Sequence, residues 1–483
     1  MRRSGAYSMI ESLTRWAYTL ASLAVLPGLV WHLLWRGLRQ REYWKHWSER
    51  FFGTAPQAFT KWRADSTDQE HLLWIHAVSV GETRAAEPLI RRWLDQSPGH
   101  RIILTHTTPT GRMTGAACFS DVLSAQPLRL LQCYLPYDLP WANDRFLRWA
   151  QPSIGALMET ELWPNLLAAA RDRKIPIALI NARLSPRSGR RLLALRWLSR
   201  PAVAGLAGIA AQTERDAEGF RGLLALPTPA PTVARPPEIA VLGNMKFDLS
   251  VSATLLEQGR SWREALNQNP LLGISSAGRI WAAVSTRDDE EEKILQAWLN
   301  ARTHQQLTEH DHLLIVPRHP QRFERVAQII SAQGMRACRR SAQWQLSISD
   351  PQPSSGLSSS TVLLGDSLGE MFAYLQMSDL VLIGGSLLPL GGQNPLEACA
   401  LGRPVFFGPH MFNFHEIARA LKACGAGLEI EHLDDWMIQG RRCLDNPHEL
   451  QRRADAAIAF SIAHRGAADR CLQFLKTISQ AGH

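Results

Sequence analysis

The sequence lacks the short motifs that mark several common classes of protein. Its 483 residues contain no G-x-x-x-x-G-K-[ST] segment, which excludes a P-loop nucleotide hydrolase at the level of motifs. Its seven cysteines are odd in number, widely spaced and never form a C-x-x-C pair. We therefore expect reduced thiols rather than a disulfide framework or a zinc site. No pattern of metal ligands is present, and we expect neither a metal nor a cofactor.

Acidic residues are fewer than basic ones, 44 against 53, and the formal net charge is +9. Such a balance predicts anionic partners, for example nucleic acid, anionic lipid or a phosphorylated substrate. The arginines are scattered, without a long Lys/Arg block or an aromatic RNA-binding motif. We therefore expect no nucleic-acid partner.

Charged residues are also absent from residues 16–35, WAYTLASLAVLPGLVWHLLW. This run is about long enough to cross a bilayer, and aromatic residues lie towards its two ends. Arginines follow it in place of a small-residue cleavage site, which favours an uncleaved anchor over a signal peptide. The larger positive cluster follows the run, which predicts that the body of the protein is cytoplasmic. Pro27 and His32 leave open a helix that lies on the membrane.

The rest of the chain alternates short apolar runs with helical stretches, which predicts parallel sheets covered on both faces. Residues 54–70 and 350–361 are polar and are expected to be loops, and the proline-rich residues 227–237 are a loop or a linker. We predict an α/β protein with two doubly wound, Rossmann-like domains that face a cleft. The expected boundaries are 1–53 for the anchor and its basic flank, 54–240 for the first domain and 241–483 for the second. The expected strands are 72–77, 101–105, 131–135, 153–158, 177–180 and 208–211, then 280–284, 313–316, 362–364, 380–383, 404–407 and 427–430.

Glu82 ends the segment WIHAVSVGE at the point where a predicted strand gives way to a helix. Open α/β sheets bind ligands beyond the carboxyl ends of their strands. A carboxylate there can act as a general base, although it can also simply complement the positive end of the helix dipole.

Two further strand ends in the first half carry polar side chains. Glu159 and Glu161 follow one predicted strand, and Arg183 follows the next, so Arg183 is the expected partner of these acids. The hydroxyl-rich segment THTTPTG, with Thr108 and Gly111, ends another strand and is a candidate for binding phosphate or sugar.

Glycine-rich segments in the second half are typical of an anion site. The pair Gly384 and Gly385 ends a predicted strand, and GGQNPLE then begins a helix, with Asn394 as the expected N-cap and Pro395 in the first turn. Glycines before a helix N-terminus favour phosphate, and Glu397 can accept the hydroxyls of a ribose. A structural strand-turn-helix without a ligand is the alternative.

Two more loops follow strands in this half. Arg318 can grip a phosphate or a carboxylate with two hydrogen bonds, and His319 lies in a turn between prolines. Glu370 and Met371 can meet a base or a sugar. For both loops, an ordinary capped turn is an equally good interpretation.

Taken together, these segments resemble the Kdo transferases, which transfer 3-deoxy-D-manno-oct-2-ulosonic acid (Kdo) in lipopolysaccharide synthesis. The resemblance covers nearly the whole chain, and its motifs occur in the family's order. The matching segments are WIHAVSVGE (74–82), TTPTG (107–111), LPYD (135–138), ETELWPN (159–165), NARLS (181–185), GNMKFD (243–248), PRHP (317–320), GDSLGEM (365–371), GGS (384–386), GGQNPLE (391–397) and GPHMFN (408–413).

The resemblance implies a two-domain GT-B glycosyltransferase of the inner membrane, with CMP-Kdo as donor, a lipid A precursor (lipid IVA) as acceptor and inner-membrane lipid as a partner. It implies that Glu82 is the general base of an inverting displacement that requires no metal. The implied acceptor-side or cleft residues are Ser79, Gly81, Thr108, Gly111, Glu159, Glu161 and Arg183. The implied donor-binding residues are Arg318, His319, Glu370, Met371, Gly385, Ser386, Gln393, Asn394 and Glu397.

The chain departs from the family's usual pattern at two places. The family usually has His at the position of Gln393, and it usually reads S-T-H-x-G-E-E where this chain has Arg287 and Asp289 in residues 285–291. These departures affect the expected donor affinity or the number of sugars added, not the proposed base. Two alternatives remain open: a GT-B transferase that uses a UDP-sugar, and a membrane-anchored binding protein without activity.

Overall fold

The computed structural model describes residues 2–64, 71–226, 236–249, 251–268, 278–308, 310–344 and 361–481. The chain divides into two compact units, unit 1 with Met1–Asp248 and His464–His483, and unit 2 with Leu249–Ala463. Most of the expected proline-rich linker and of the expected loop at 350–361 lies outside the described residues.

Unit 1 contains a seven-stranded parallel sheet in the order β3-β2-β1-β4-β5-β6-β7. Its central strands are mostly apolar and almost entirely buried because helices cover both faces. The strand order reverses between β1 and β4, which places a topological switch point there. The strands are β1 Leu72–His76, β2 Arg101–His106, β3 Leu130–Tyr134, β4 Ile154–Met158, β5 Ile177–Ala182, β6 Gly208–Ala211 and β7 Glu238–Val241.

The helices of unit 1 alternate with these strands, as the sequence predicts. One expectation is wrong: residues 54–70 are not wholly a loop, because residues 59–64 are helical and Trp62 is buried under the guanidinium group of Arg101. The helices are α1 Arg2–Arg39, α2 Trp47–Phe52, α3 Phe59–Ala64, α4 Val80–Asp95, α5 Pro109–Cys118, α6 Ser120–Ala125, α7 Pro140–Ala150, α8 Pro164–Asp172, α9 Pro186–Ala194, α10 Arg196–Ala204 and α11 Glu214–Ala225, with 3₁₀ turns at Arg41–Trp44 and Met245–Phe247.

Unit 2 contains a second seven-stranded parallel sheet, in the order β10-β11-β9-β8-β12-β13-β14. Its order reverses between β8 and β12. Trp281 of β8 packs edge-on against Trp298 and Trp436 in the core. The strands are β8 Arg279–Thr286, β9 Asp311–Pro317, β10 Arg336–Arg339, β11 Thr361–Leu364, β12 Leu380–Ile383, β13 Val405–Phe407 and β14 Gly427–Glu429.

The helices of unit 2 alternate with these strands. They are α12 Ala253–Gln268, α13 Glu290–Thr303, α14 Phe323–Ala332, α15 Met371–Met377, α16 Leu396–Ala400, α17 His415–Cys424, α18 Leu433–Asp445 and α19 Pro447–His464, with 3₁₀ turns at Pro320–Arg322 and Phe412–Phe414.

The last helix, α20 (Ala467–Ala481), belongs to unit 1 and not to the second domain that the sequence predicts for residues 241–483. Its apolar side, with Leu472 and Leu475, joins the core beneath α4. The Asp248 carboxylate accepts the N–H groups of Gly466 and Ala468 at 2.5 and 2.6 Å and so caps this helix. The boundary is therefore corrected: residues 241–248 and 464–481 complete unit 1.

The N-terminal helix α1 runs through Pro27 without interruption. Its segment Ser12–Arg39 is long and apolar enough to cross a membrane by length and composition, with a mean hydropathy of 1.5. One side contacts unit 1: Thr19 is hydrogen-bonded to Asn165, and Leu33 packs with Tyr43 and Phe51. The opposite side exposes large apolar side chains, namely Leu13, Trp16, Leu20, Val25, Trp31, Trp35 and Leu38.

Candidate active site

Polar side chains gather at the switch point of each sheet. In unit 1 the loops after β1 and β4 carry Glu82, Glu159 and Glu161. In unit 2 the loops after β8 and β12 carry Arg287 and Gly385. Ligands of open α/β sheets bind at such positions. Each cluster is described within its own unit.

Glu82 lies in the first turn of α4, where the sequence predicts a strand-to-helix transition. Ser79 is the N-cap, and its hydroxyl accepts the Glu82 N–H at 3.3 Å. The Glu82 carboxylate accepts the N–H of Val78 at 2.5 Å, which holds it against the strand end. Gly81 is exposed in the same turn. The acid is thus positioned by two short-range contacts of its own segment.

The pKa of Glu82 is raised to about 7, first because the side chain is buried and second because of the negative charges of Glu159 and Glu161. The Val78 N–H and the Ser79 side chain oppose this rise without cancelling it. A carboxylate with a pKa near the working pH is well suited to accept and release a proton. Glu82 therefore has the electrostatic properties of a general base at neutral pH.

Glu159 follows β4 with φ +55° and forms an ion pair with Lys246 at 2.8 Å. This pairing corrects the expectation for Arg183: among the described residues, neither acid of this loop is paired with Arg183. The neighbouring residue Met245 is held by Asn181, whose side-chain oxygen accepts the Met245 N–H at 3.0 Å.

Glu161 accepts a hydrogen bond from the indole N–H of Trp163 at 2.8 Å. Burial raises the pKa of Glu161, and the charge of Glu159 adds to that rise. The loop after β4 thus presents two acids of different character, one neutralised by a lysine and one held by an indole.

Thr108 and Gly111 support the Glu82 loop. The Thr108 hydroxyl donates to the Val78 carbonyl at 2.9 Å and accepts the Gly111 N–H at 3.1 Å, which makes Thr108 the N-cap of α5. A Cβ atom on Gly111 would lie 2.8 Å from the Val78 carbonyl oxygen. The Thr110 hydroxyl also donates to the Thr108 hydroxyl at 3.4 Å. Protein contacts thus account for Thr108 and Gly111 at these positions, since the Thr108 hydroxyl already has three protein partners.

The glycine-rich loop of unit 2 depends on its glycines. Gly391 and Gly392 have φ values of +95° and +72°. A Cβ atom on Gly391 would lie 2.2 Å from the Asn413 amide nitrogen, and one on Gly392 would lie 2.2 Å from the Met411 sulfur. Only glycine allows this backbone path, whether or not a ligand is bound.

The helix after this loop begins one residue later than predicted. Pro395 has the N-cap position of α16, and the Asn394 side chain accepts the Leu396 N–H at 3.1 Å. Glu397 lies in the first turn. The expected N-cap role of Asn394 is therefore corrected: its side chain caps the same helix end from one position further out.

Arg318 begins the loop after β9, and its Nε donates to the Gln393 side-chain oxygen at 3.2 Å. His319 is exposed beside it, and its pKa is lowered by burial and by the charges of Arg318 and Arg287. Ser386 is fully buried; its hydroxyl donates to the Ile383 carbonyl and accepts the Gly408 N–H.

Glu370 has protein partners for both carboxylate oxygens. Gln258 and Arg340 donate to one oxygen at 2.7 and 3.0 Å, and the Ser367 hydroxyl donates to the other. Ser367 lies in a G-x-S-x-G sequence, but its partners are Glu370 and Tyr374 rather than a histidine. This loop therefore fits the capped-turn alternative, with Met371 as the first residue of α15.

Glu290 organises the unit 2 site but was not predicted. Its buried carboxylate accepts the N–H groups of Arg287, Gly385 and Leu387 at 2.9, 2.7 and 3.3 Å. Glu291, also buried, bonds the Thr286 hydroxyl and Arg322, and burial raises its pKa to about 7. The available signal was a run of acids in the first turn after a strand. Within the described residues, no three His, Cys, Asp or Glu side chains gather as they do around a metal ion.

Solved structures share this fold. A glycosyltransferase from Rickettsia africae matches 85% of the chain and 99% of its own length with a TM-score of 0.53 and 11% identity. A UDP-GlcNAc 2-epimerase from Neisseria meningitidis matches 84% of the chain and all of its own length, with a TM-score of 0.52 and 14% identity. The two sheets define a GT-B fold.

Sequence comparison identifies the family. The sequence model of the 3-deoxy-D-manno-octulosonic-acid transferases matches residues 45–249. The 3-deoxy-D-manno-octulosonic acid transferase of Bordetella pertussis is 38% identical over 466 residues, covering 96% of this chain and 99% of that protein. That of Haemophilus influenzae is 35% identical over 84% of the chain and 86% of that protein. The chain belongs to the family of Kdo transferases, which confirms the resemblance.

Proposed function

We propose that this Kdo transferase moves Kdo from CMP-Kdo to a lipid A precursor (lipid IVA), and that Glu82 is the general base. The position of Glu82 carries the proposal: it lies at the switch point of unit 1 with its pKa raised to about 7. In a single displacement, Glu82 takes the proton of an acceptor hydroxyl. The hydroxyl oxygen bonds to the anomeric carbon of Kdo while the bond from that carbon to the phosphate oxygen breaks. CMP leaves as a phosphate monoester, and the configuration inverts.

The donor side of the proposal rests on the chemistry of unit 2. Arg318 supplies a permanent positive charge at a strand end, and its guanidinium group contacts Gln393 of the glycine-rich loop that leads into α16. Charge on the leaving phosphate is stabilised by such fixed donors. Glu397, in the first turn of α16, is the candidate for the ribose hydroxyls.

The membrane part of the proposal rests on α1. Its contacts with the body of unit 1 extend from Thr19 to Leu33, which is about 21 Å of helix at 1.5 Å per residue. A bilayer core of about 30 Å leaves little room for a helix that is packed on protein over that length. We therefore propose that α1 lies on the cytoplasmic face of the inner membrane with its exposed apolar side in contact with lipid.

The test of the reaction uses purified full-length protein, lipid IVA and CMP-Kdo generated in situ, with the lipid product weighed by mass spectrometry. We expect a mass gain of one or two Kdo units with the native protein, and loss of the gain with Glu82→Gln. Glu87→Gln, on the same helix, is the matched control. If the lipid gains no mass, and UDP but not CMP competes for the donor site, a UDP-sugar donor is favoured instead.

A further inference from the structure

Arg287 and Gln393 flank the same glycine in unit 2. A Cβ atom built on Gly385 would lie 3.3 Å from the Gln393 amide nitrogen and 3.5 Å from Cγ of Arg287. The other end of the Gln393 amide accepts the Nε–H of Arg318. One neutral amide therefore lies between two guanidinium-bearing side chains at the carboxyl ends of β8 and β9.

The carboxylates around Arg287 are already committed to other groups. Asp288 and Glu291 pair with Arg322, and Glu290 accepts three backbone N–H groups. Within the described part of the chain, the Arg287 side chain forms no hydrogen bond or ion pair, and its Nε atom is buried without a partner. Its positive charge is therefore not balanced by direct contact with an acid.

Two guanidinium groups at one strand end repel each other, and an anion between them removes that repulsion. A phosphate is suited to the site because guanidinium groups bind its oxygens in pairs. Arg318 and His319 come from the loop after β9, Asp288 and Glu290 from the loop after β8 and the start of α13, and Gln393 from the glycine-rich loop. Burial and the charges of Arg318 and Arg287 lower the pKa of His319, and burial raises the pKa of Glu291, next to Glu290, to about 7.

We propose that Arg287 is a second phosphate-binding residue of the donor site, acting with Arg318, and that Gln393 is the neutral spacer between them. This inference rests on the proposed donor function of unit 2. A histidine at position 287 would lose its charge as pH rises through about 6.5. Arg287 keeps its charge throughout that range, so its contribution to nucleotide binding does not change with pH.

The test is calorimetric titration of CMP into full-length native and variant proteins between pH 6 and pH 8. We expect Arg287→Gln to raise the dissociation constant about tenfold or more at every pH, because it removes a charged hydrogen bond. Arg287→His should approach the native value at pH 6 and the Arg287→Gln value at pH 8. Ratios to the native protein remove the titration of CMP and of His319.

Two further variants make the result decisive. Arg287→Lys keeps the charge but loses the paired hydrogen bonds, so its affinity should lie between those of the native protein and Arg287→Gln, which a loss of folding would not allow. Arg325→Gln, an exposed arginine of α14, should bind CMP like the native protein. An Arg287→Gln affinity within twofold of native, or an Arg287→His ratio that does not vary with pH, overturns the inference. If Arg318→Gln still lowers affinity in that case, the donor assignment stands; native protein that does not bind CMP overturns both.

Discussion

Lys246 forms an ion pair at 2.8 Å with Glu159, and Glu159 is the charged group that contributes most to the raised pKa of Glu82. The two side chains are 87 residues apart in the sequence. Lys246, in the turn after β7, thus affects how strongly the charge of Glu159, after β4, raises the pKa of Glu82, after β1. The basicity of Glu82 depends on three strand ends and not on its own segment alone.

This relationship predicts opposite effects of two substitutions on the pH dependence of the reaction. Glu159→Gln removes a negative charge, so the pKa of Glu82 should fall and the acidic limb of kcat/KM should move below pH 7. Lys246→Met leaves Glu159 without its positively charged partner, so the pKa of Glu82 should rise and the acidic limb of kcat/KM should move above pH 7. The measurement is kcat/KM for Kdo transfer between pH 5 and pH 9. An unmoved limb in both variants rules out Glu82 as the titrating base.

Glu82→Gln should reduce the rate of transfer by about 10²–10⁴-fold, because general base catalysis is lost. CMP affinity should stay at the native value, since the substituted residue lies in unit 1. Rate and CMP binding are measured on the same preparations. A parallel loss of both would indicate that Glu82 has a structural role.

The same substitution should stabilise the protein at alkaline pH. The pKa of Glu82 is about 7 in the folded protein against 4.5 as its ordinary value, so the folded state holds the proton more tightly. That stabilising contribution is complete below about pH 4.5 and is lost as pH rises through 7. Glu82→Gln should therefore gain on the order of 2–3 kcal/mol relative to native at pH 8, and little at pH 4.5. Urea unfolding at both values measures the difference, and an equal effect at both pH values would contradict it.

Asp289 is the N-cap residue of α13, and its φ is +69°. This left-handed conformation is strained for most residues, and the Asp289 charge also opposes ionisation of Glu291. Asp289→Gly should stabilise unit 2 by about 0.5–1 kcal/mol. Asp289→Ala should destabilise it, because alanine tolerates this conformation less well than aspartate. The midpoints of unfolding in urea show whether each substitution stabilises or destabilises the protein. Two changes of the same sign would exclude backbone strain as the cause.

Thr108→Val should destabilise unit 1 by about 1–2 kcal/mol, since it removes the cap of α5 and leaves the Val78 carbonyl without that partner. Transfer should slow as well, because Val78 also holds Glu82. Thr110→Val, two residues along and exposed, is the matched control, because it removes a 3.4 Å hydrogen bond to the Thr108 hydroxyl but leaves the bonds of Thr108 to Val78 and Gly111. Thermal unfolding and transfer rates test the pair, and equal effects of the two substitutions would contradict a capping role.

The site was predictable from the sequence where its contacts are local. An apolar run followed by Glu82 indicates a strand and a first-turn acid within nine residues, and the structure has both, while the N-cap role of Ser79 was not predicted. Arg183 was the expected partner of Glu159 because it follows the next predicted strand. Sequence spacing gives no indication of the contact with Lys246, which is 87 residues away. Glu290 was missed for the same reason: its bond to Gly385 spans 95 residues.

The fold shows the same limit. The alternation of apolar runs with helical stretches predicts both sheets, since the hydrophobic periodicity of each segment indicates whether it forms a strand or a helix. It does not say which sheet an amphipathic helix covers, so α20 was assigned to the wrong unit. The residue that marks its true position is the buried Asp248. Asp248 precedes unit 2 in the sequence, and its carboxylate caps α20, which follows unit 2.

The placement of α20 makes unit 2 an insertion within unit 1. A ribosome therefore releases the first 248 residues long before the helix that covers their core at Leu472 and Leu475 has been made. During that interval the apolar residues of unit 1 that pack against Leu472 and Leu475 in the folded protein lack this partner. Unit 2 can fold as it emerges, whereas unit 1 must wait until α20 has been made, so the biogenesis of this transferase is expected to depend on chaperone protection of its N-terminal half.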